Sequence, residues 1–144
     1  MTKEKERHNH ENEIIILRID KGNKIVKNIV KFCSDNEITG AWISGLGAVS
    51  KATVGLYDLD TKEYHKKELE GPFEIANLVG NIGVVGNETR AHLHIVLTNS
   101  KMQAFGGHLD EATVAATCEI KLEILEVELK REHDDKIGLD LINL

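Results

Sequence analysis

The chain has 144 residues, of which 41% are hydrophobic and 29% are charged, a composition typical of one globular domain of ordinary size. No apolar run is as long as a membrane span, and the polar start has no secretory signal, so we expect a cytoplasmic protein. The net charge of −6 argues against non-specific DNA binding, which depends on basic patches that neutralise phosphates.

The first residues are polar and charged. Residues 1–13 are predicted to form a mobile tail, in which His8 and His10 are a solvated pair, and residues 14–144 are predicted to form a single domain. The β-branched run "EIIILRI" (13–19) is typical of a strand.

Between about residues 23 and 36 the hydrophobic period changes to that of a helix. The apolar residues that fall on one arc of the helical wheel are Ile25, Val26, Ile29, Val30, Phe32 and Cys33. We therefore predict one principal helix that covers one face of a sheet.

Strand-like segments follow the helix to about residue 129. Turn chemistry at 58–62 and 98–101 indicates hairpins between them, whereas 110–116 ("DEATVAA") is predicted to be either a helical turn or a crossover. One helix followed by many strands predicts an α+β domain with a mainly antiparallel β-sheet and the principal helix packed on it.

A glycine-rich segment and the two cysteines do not match the motifs of nucleotide-binding or cysteine-based sites. The segment "GLGAVS" (45–50) lacks the third glycine and the following helix of a dinucleotide-binding motif, so Gly45 and Gly47 are predicted to serve a bulge or a tight bend. Cys33 and Cys118 are far apart and outside any C-x-x-C pattern, which indicates buried apolar residues.

Three of the seven histidines fall within residues 88–112, whereas His65 and His133 are predicted to be surface residues. In a strand over "RAHLHIVL", His92 and His94 share one face, and the apolar residues between them form the core face. Side chains two residues apart on a strand are about 6–7 Å apart at Cβ, and their imidazoles can converge on one zinc ion.

The third candidate ligand, His108, lies in the next strand, and its face depends on the hairpin register. A two-residue loop turns His108 to the face opposite that of His92. A three-residue loop, or a bulge at Gly106 or Gly107, sets His108 opposite His92 with all three rings on one face. We therefore predict an odd-numbered hairpin loop or a bulge between His94 and His108.

Three neutral imidazoles leave a fourth metal position open to water or substrate, as in catalytic rather than structural zinc sites. Zinc is the predicted metal, although nickel, copper or iron would accept the same ligands. Candidates nearby for proton transfer or anion binding, each with the alternative of a solvated surface charge, are Glu74, Arg90, Asp110 and Glu111. Glu74 and Arg90 are the two predicted catalytic residues.

Five segments, taken in order, resemble a known family: "ISGLGAVSKATVGLYD", "GPFEIANLVGNIG", "RAHLHIVL", "GGHL" and "ATCEIKLEIL". Over roughly residues 14–128 the chain resembles the prokaryotic stand-alone members of the plants-and-prokaryotes-conserved (PPC) domain family. The resemblance implies an α+β fold and a homotrimer. The chain is also distantly similar in architecture to acetolactate decarboxylase, whose H-x-H pair and later histidine hold a metal, a pattern that His92, His94 and His108 match.

The preferred hypothesis is a trimeric zinc protein that binds or acts on a small molecule, with a metal-dependent lyase or hydrolase-type activity left open. In it, Arg90 holds an anionic group and Glu74 serves as an acid or base. The alternative is a DNA-associated or protein-interaction module without catalysis, since plant members of the family carry AT-hooks that enter the DNA minor groove. This chain has no Arg-Gly-Arg-Pro segment of that kind. A third hypothesis is a structural metal at a subunit interface.

Overall fold

The computed structural model describes residues 2–7 and 13–144. In chain order its elements are β1 (Thr2–Arg7), β2 (Ile14–Asp20), α1 (Ile25–Asp35), β3 (Ala41–Asp58), β4 (Glu63–Val85), β5 (Glu88–Thr98), β6 (Ala104–Ile124), β7 (Arg131–Asp134) and β8 (Leu139–Ile142). The predicted α+β class is confirmed, because antiparallel strands predominate and the described residues form one helix. In the described part of the chain, no helix combines the length and apolar character needed to cross a bilayer.

The N-terminal segment contains a strand. Residues 2–7, within the segment predicted as a tail, pair antiparallel with β2 as strand β1. His8 and His10 lie outside the described residues.

Six strands form one antiparallel sheet in the order β1-β2-β6-β3-β4-β5, and β5 also pairs with β6. The first residues of β6 pair with β5 and its last residues pair with β2, while β3 runs along the other edge of β6. Strands β3, β4, β5 and β6 therefore close a ring at the end where β5 meets β6.

The helix α1 packs against β5 and β6. It begins at Ile25 and ends at Asp35, within the predicted range, and Ile29 and Cys33 are fully buried. Apolar residues from the helix and the strands meet in one hydrophobic core, as the amphipathic pattern of the helix predicts. The two cysteines are both buried, as expected.

The glycine-rich segment 45–50 lies inside β3, where the pairing with β4 shifts between Gly45 and Gly47. Gly47 has a φ of 149°, and a Cβ added there would lie 2.2 Å from the carbonyl oxygen of Thr117. The predicted role of these glycines in a bulge is therefore confirmed, and the close approach of β6 explains why a side chain is not accommodated.

Residues 110–116 are neither a helical turn nor a crossover, so both predictions for this segment are wrong. They lie inside β6, where Ala112 pairs with Ala52 and Val114 pairs with Val49. All four side chains are buried. Pairing and alternate burial within the sheet therefore override the helical preference of the local sequence.

The C-terminal strands β7 and β8 form a separate antiparallel hairpin. The segment before β7 crosses β4 closely, because Val84 N donates a hydrogen bond of 2.9 Å to Leu129 O. A Cβ on Gly83 would lie 2.4 Å from the same oxygen, so this approach requires a glycine. The crossing brings Arg131, at the start of β7, towards the sheet face that carries the histidines.

Candidate metal centre

Strand β5 presents its histidines away from the core. Leu93 and Ile95 are buried, whereas His92 is partly buried and His94 is exposed. This alternation confirms the predicted core face of the strand and follows from the two-residue period of strand side chains.

The hairpin register sets the position of His108. Thr98 pairs with Ala104, which leaves a loop of five residues, 99–103. The side chain of Asn99 closes this loop, because its Oδ1 accepts hydrogen bonds from Lys101 N at 3.0 Å and Gln103 N at 3.1 Å.

The odd-numbered loop confirms the prediction that places all three histidines on one face. The residue opposite His108 is His94 rather than the predicted His92. The loop is two residues longer than the three-residue alternative. The pairing therefore shifts by two residues, which is one full repeat of a strand, and His108 stays on the same face.

The three imidazoles lie close together. Their ring centroids are 5.1 Å apart for His92 and His94, 5.6 Å for His92 and His108, and 5.8 Å for His94 and His108. One nitrogen from each ring lies within 4.8 Å of the others. Tetrahedral zinc with bonds of roughly 2.0–2.1 Å requires nitrogen separations of about 3.4 Å, which small side-chain rotations would reach.

A buried nitrogen supports this interpretation. Within the described part of the chain, Nδ1 of His108 is buried and has no hydrogen-bond partner. Such a nitrogen costs about 1–3 kcal/mol unless a ligand or a donor satisfies it. Tyr64 covers one face of His108, with ring centroids 4.6 Å apart and an interplanar angle of 33°. The donor set and the unsatisfied nitrogen therefore fit a divalent transition metal.

The surroundings favour the neutral form of two of the imidazoles. Burial, followed by the positive charges of Arg131, His94 and His108, lowers the pKa of His92 to about 4. Burial and then the charge of His94 also lower the pKa of His108, against the opposing effect of Asp110. Neutral imidazoles have the free lone pair that metal ligation requires.

The structure brings only one of the two predicted catalytic residues to the histidines. Arg90 is exposed, lines the groove beside His92 and His108, and contacts Glu88 at 2.5 Å. Glu74 is exposed and pairs with Thr98, four residues along β5 from His94, which corresponds to about 13 Å.

The acidic candidates Asp110 and Glu111 have different surroundings. Asp110 forms an ion pair of 2.6 Å with Lys66 and influences His108 electrostatically. Glu111 instead accepts hydrogen bonds from the backbone N–H groups of Val26 and Lys27, at 2.8 and 3.1 Å. Glu111 therefore satisfies the first turn of the helix rather than facing the histidines.

Sequence reasoning missed three residues at this site: Tyr64, Asn81 and Arg131. Asn81 is buried and pairs with His92 in the sheet. Its Oδ1 accepts a hydrogen bond of 2.6 Å from Arg131 Nη2. The only signal available in the sequence was Asn81 itself, a polar residue inside the apolar run "NLVGNIGVV".

The fold and the site together define a small α+β domain with a candidate metal centre of three histidines on the outer face of its sheet. The chain belongs to the Plants and Prokaryotes Conserved (PCC) domain family, also written PPC, which matches residues 7–126. The predicted family is thereby confirmed. No curated protein sequence matches this chain.

Two similar structures cover nearly all of the chain. A metal-containing protein from Archaeoglobus fulgidus is 37% identical, with a TM-score of 0.85, over 91% of this chain and 93% of that protein. A protein from Bacteroides thetaiotaomicron proposed to bind DNA is 28% identical, with a TM-score of 0.89, over 97% of this chain and 96% of its own.

The predicted architectural likeness to acetolactate decarboxylase is also found. The Bacillus subtilis enzyme has a TM-score of 0.56 and 13% identity over 85% of this chain. The match covers 57% of the enzyme, and at this identity the likeness concerns the fold alone.

Proposed function

We propose that the protein binds a divalent transition metal, zinc being the preferred ion, through His92, His94 and His108. The observation that carries the proposal is the convergence of three imidazole nitrogens within 4.8 Å on one sheet face. The metal-containing relative from Archaeoglobus fulgidus supports it.

Three imidazoles leave a coordination position for a small molecule. A bound ion would supply Lewis-acid polarisation of a carbonyl or activation of water. Tyr64 supports the His108 ring by stacking, and Arg90 lines the adjoining groove, where its exposed pair with Glu88 would have to open before it could hold an anionic group. Glu74 stays a prediction from the sequence, since its strand position is remote from the histidines.

Metal content tests this proposal directly. Protein purified without a histidine tag is analysed by plasma mass spectrometry before and after zinc reconstitution. We expect about one ion per chain, and its loss in the variant His94→Ala. His65→Ala is the matched control, because His65 is exposed and contacts Asp58 rather than the cluster. Full metal content in His94→Ala would show that the ligand assignment is wrong.

We also propose a homotrimer, as the family resemblance implies. Light scattering coupled to size exclusion should give three times the chain mass of 16.0 kDa. The trimer should persist in His94→Ala if the metal lies in a small-molecule binding site rather than at a subunit interface. Dissociation on metal removal would instead favour a structural metal at a subunit interface.

A DNA-associated function is the second candidate, because the relative from Bacteroides thetaiotaomicron is proposed to bind DNA. Against it stands the net charge of −6, since DNA affinity depends on phosphate neutralisation. A gel-shift series at rising salt separates the two functions. We expect no complex at physiological ionic strength, and a sequence-specific shift that resists salt would favour the DNA-associated module.

A further inference from the structure

A groove of about 340 Å³ lies beside two of the three histidines, His92 and His108. Apolar side chains form much of its lining, notably Val85, Ala91, Leu139 and Leu141. Volumes of this size and walls of this kind are typical of sites for small organic molecules. The charged groups in the wall then decide which class of molecule is accepted.

Arg131 is a cation in this wall that forms no direct ion pair within the described residues, although the carboxylate of Asp140 acts on it electrostatically. Its Nη2 donates to Asn81 Oδ1 at 2.6 Å and its Nη1 donates to the carbonyl oxygen of Asp140 at 3.0 Å. Both acceptors are uncharged. In the described part of the chain, its Nε is buried without any hydrogen-bond partner. A guanidinium has five N–H donors, so most of its capacity for a planar oxyanion is unused.

Two other cations near the groove, Arg90 and Lys66, are in ion pairs. Arg90 contacts Glu88 at 2.5 Å, and Lys66 contacts Asp110 at 2.6 Å. The carboxylate of Asp140 lies 3.1 Å from Nδ1 of His133 and also acts electrostatically on Arg131. With the Asp140 carboxylate in the same wall, the groove has no excess of positive charge, which disfavours a polyphosphate or a nucleic acid, whereas the unused N–H donors of Arg131 suit a single carboxylate.

Sheet register fixes Arg131 relative to the histidines. Asn81, which holds its Nη2, lies directly opposite His92 in the pairing of β4 with β5. The close crossing at Gly83 holds the preceding segment against β4. The guanidinium is therefore positioned beside the histidine cluster by rigid elements rather than by a loop.

We propose that the groove binds a short-chain monocarboxylate, with its carboxylate on Arg131, its apolar chain on the groove wall and its far end towards the histidines. The role of that far end rests on the proposed metal function. The pairing of the carboxylate with Arg131 does not require the metal. The two parts of the proposal can therefore fail separately.

The test is a titration of the full-length, ¹⁵N-labelled protein with butyrate, in zinc-loaded and chelator-treated forms. Its neutral isostere butyramide and inorganic phosphate are titrated in parallel. The readouts are the backbone amides of β7 and the Nε–H signal of Arg131, which should shift when a charge-assisted hydrogen bond forms. We expect butyrate to bind at least tenfold more tightly than butyramide and phosphate in both forms.

Two variants complete the test. Arg131→Gln should weaken butyrate binding about tenfold or more, whereas the matched control Arg18→Gln should not, because Arg18 lies on β2 in an exposed pair with Asp20. If Arg131→Gln does not fold, the comparison of butyrate with butyramide in the natural chain still tests whether the groove recognises a carboxylate.

Equal binding of butyrate and butyramide, or butyrate binding unchanged in Arg131→Gln, would overturn the assignment. Binding of butyrate only to the zinc-loaded protein without a shift of Arg131 Nε–H would also overturn it, because the carboxylate would then be a metal ligand. Stronger binding of phosphate than of butyrate would overturn the carboxylate assignment in favour of a phosphate ester. Butyrate binding at Arg131 in a protein that takes up no zinc would support this inference while refuting the proposed metal function.

Discussion

Glu111 should be a structural residue of the helix rather than a member of the metal site. Its Oε1 accepts the backbone N–H groups of Val26 and Ala112, at 2.8 and 2.9 Å, and its Oε2 accepts that of Lys27 at 3.1 Å. The N-cap residue, Lys24, makes no capping hydrogen bond with its side chain. A carboxylate from β6 therefore does what a local N-cap residue does in most helices.

The cost of removing this carboxylate follows from these contacts. Loss of an N-cap acceptor costs about 0.5–2 kcal/mol, and loss of a negative charge at a helix N-terminus costs a further 0.3–1 kcal/mol or so. We expect Glu111→Ala to lower the free energy of unfolding by about 1–3 kcal/mol. In a domain of this size that corresponds to a decrease in Tm of roughly 3–10 °C. Glu111→Gln, which keeps one oxygen, should lose about half as much.

Calorimetry of the variants measures this effect, with Glu119→Gln as the matched control, because Glu119 is an exposed carboxylate on the same strand. Metal content should be unchanged in Glu111→Gln. A Tm within 1 °C or so of the natural chain would refute the capping argument. Loss of metal without loss of stability would instead indicate that Glu111 contributes to the metal site.

Three further predictions concern the sheet, the cluster and the thiols. A Cβ at Gly106 would lie 1.9 Å from Ile95 O, so Gly106→Ala should separate β5 from β6, lower stability by about 1–3 kcal/mol in urea unfolding and weaken zinc affinity in a competition titration. The pKa of His92 is lowered to about 4 in the folded protein, so as the pH falls the unfolded chain binds a proton at a higher pH than the folded protein does. Stability of the metal-free protein should therefore fall as pH falls from about 6.5 to 4, and an unchanged slope in His92→Gln would contradict this cause. Burial raises the pKa values of Cys33 and Cys118 to about 12, so a thiol reagent at pH 8 should label neither residue until the protein is denatured, and rapid labelling of the native protein would refute their burial.

Hydrophobic periodicity was sufficient to predict the helix and the faces of β5. Ile29 and Cys33 repeat every turn, and Leu93 and Ile95 alternate with histidines, so local sequence dictates which side is buried. The common face of the three histidines was also predictable. It requires only that the loop before β6 has an odd number of residues. This condition can be stated without knowing the length of the loop.

Loop length itself could not be derived from the sequence, and it determines which histidine lies opposite His108. Asn99 closes five residues through two hydrogen bonds to the backbone, and nothing in the local composition distinguishes that turn from a shorter one. For a similar reason residues 110–116 were predicted wrongly. Their local preference is helical, and only pairing with β3 makes them a strand.

By itself, then, the sequence determined the α+β class, the amphipathic helix, the outward face of His92 and His94 and the glycines that permit close strand approach. Only the tertiary structure decided the surroundings of that face. It placed Arg131 beside Asn81, Tyr64 over His108 and Glu111 at the helix. These contacts join residues far apart in the chain. They depend on register and strand closure, which local periodicity does not encode.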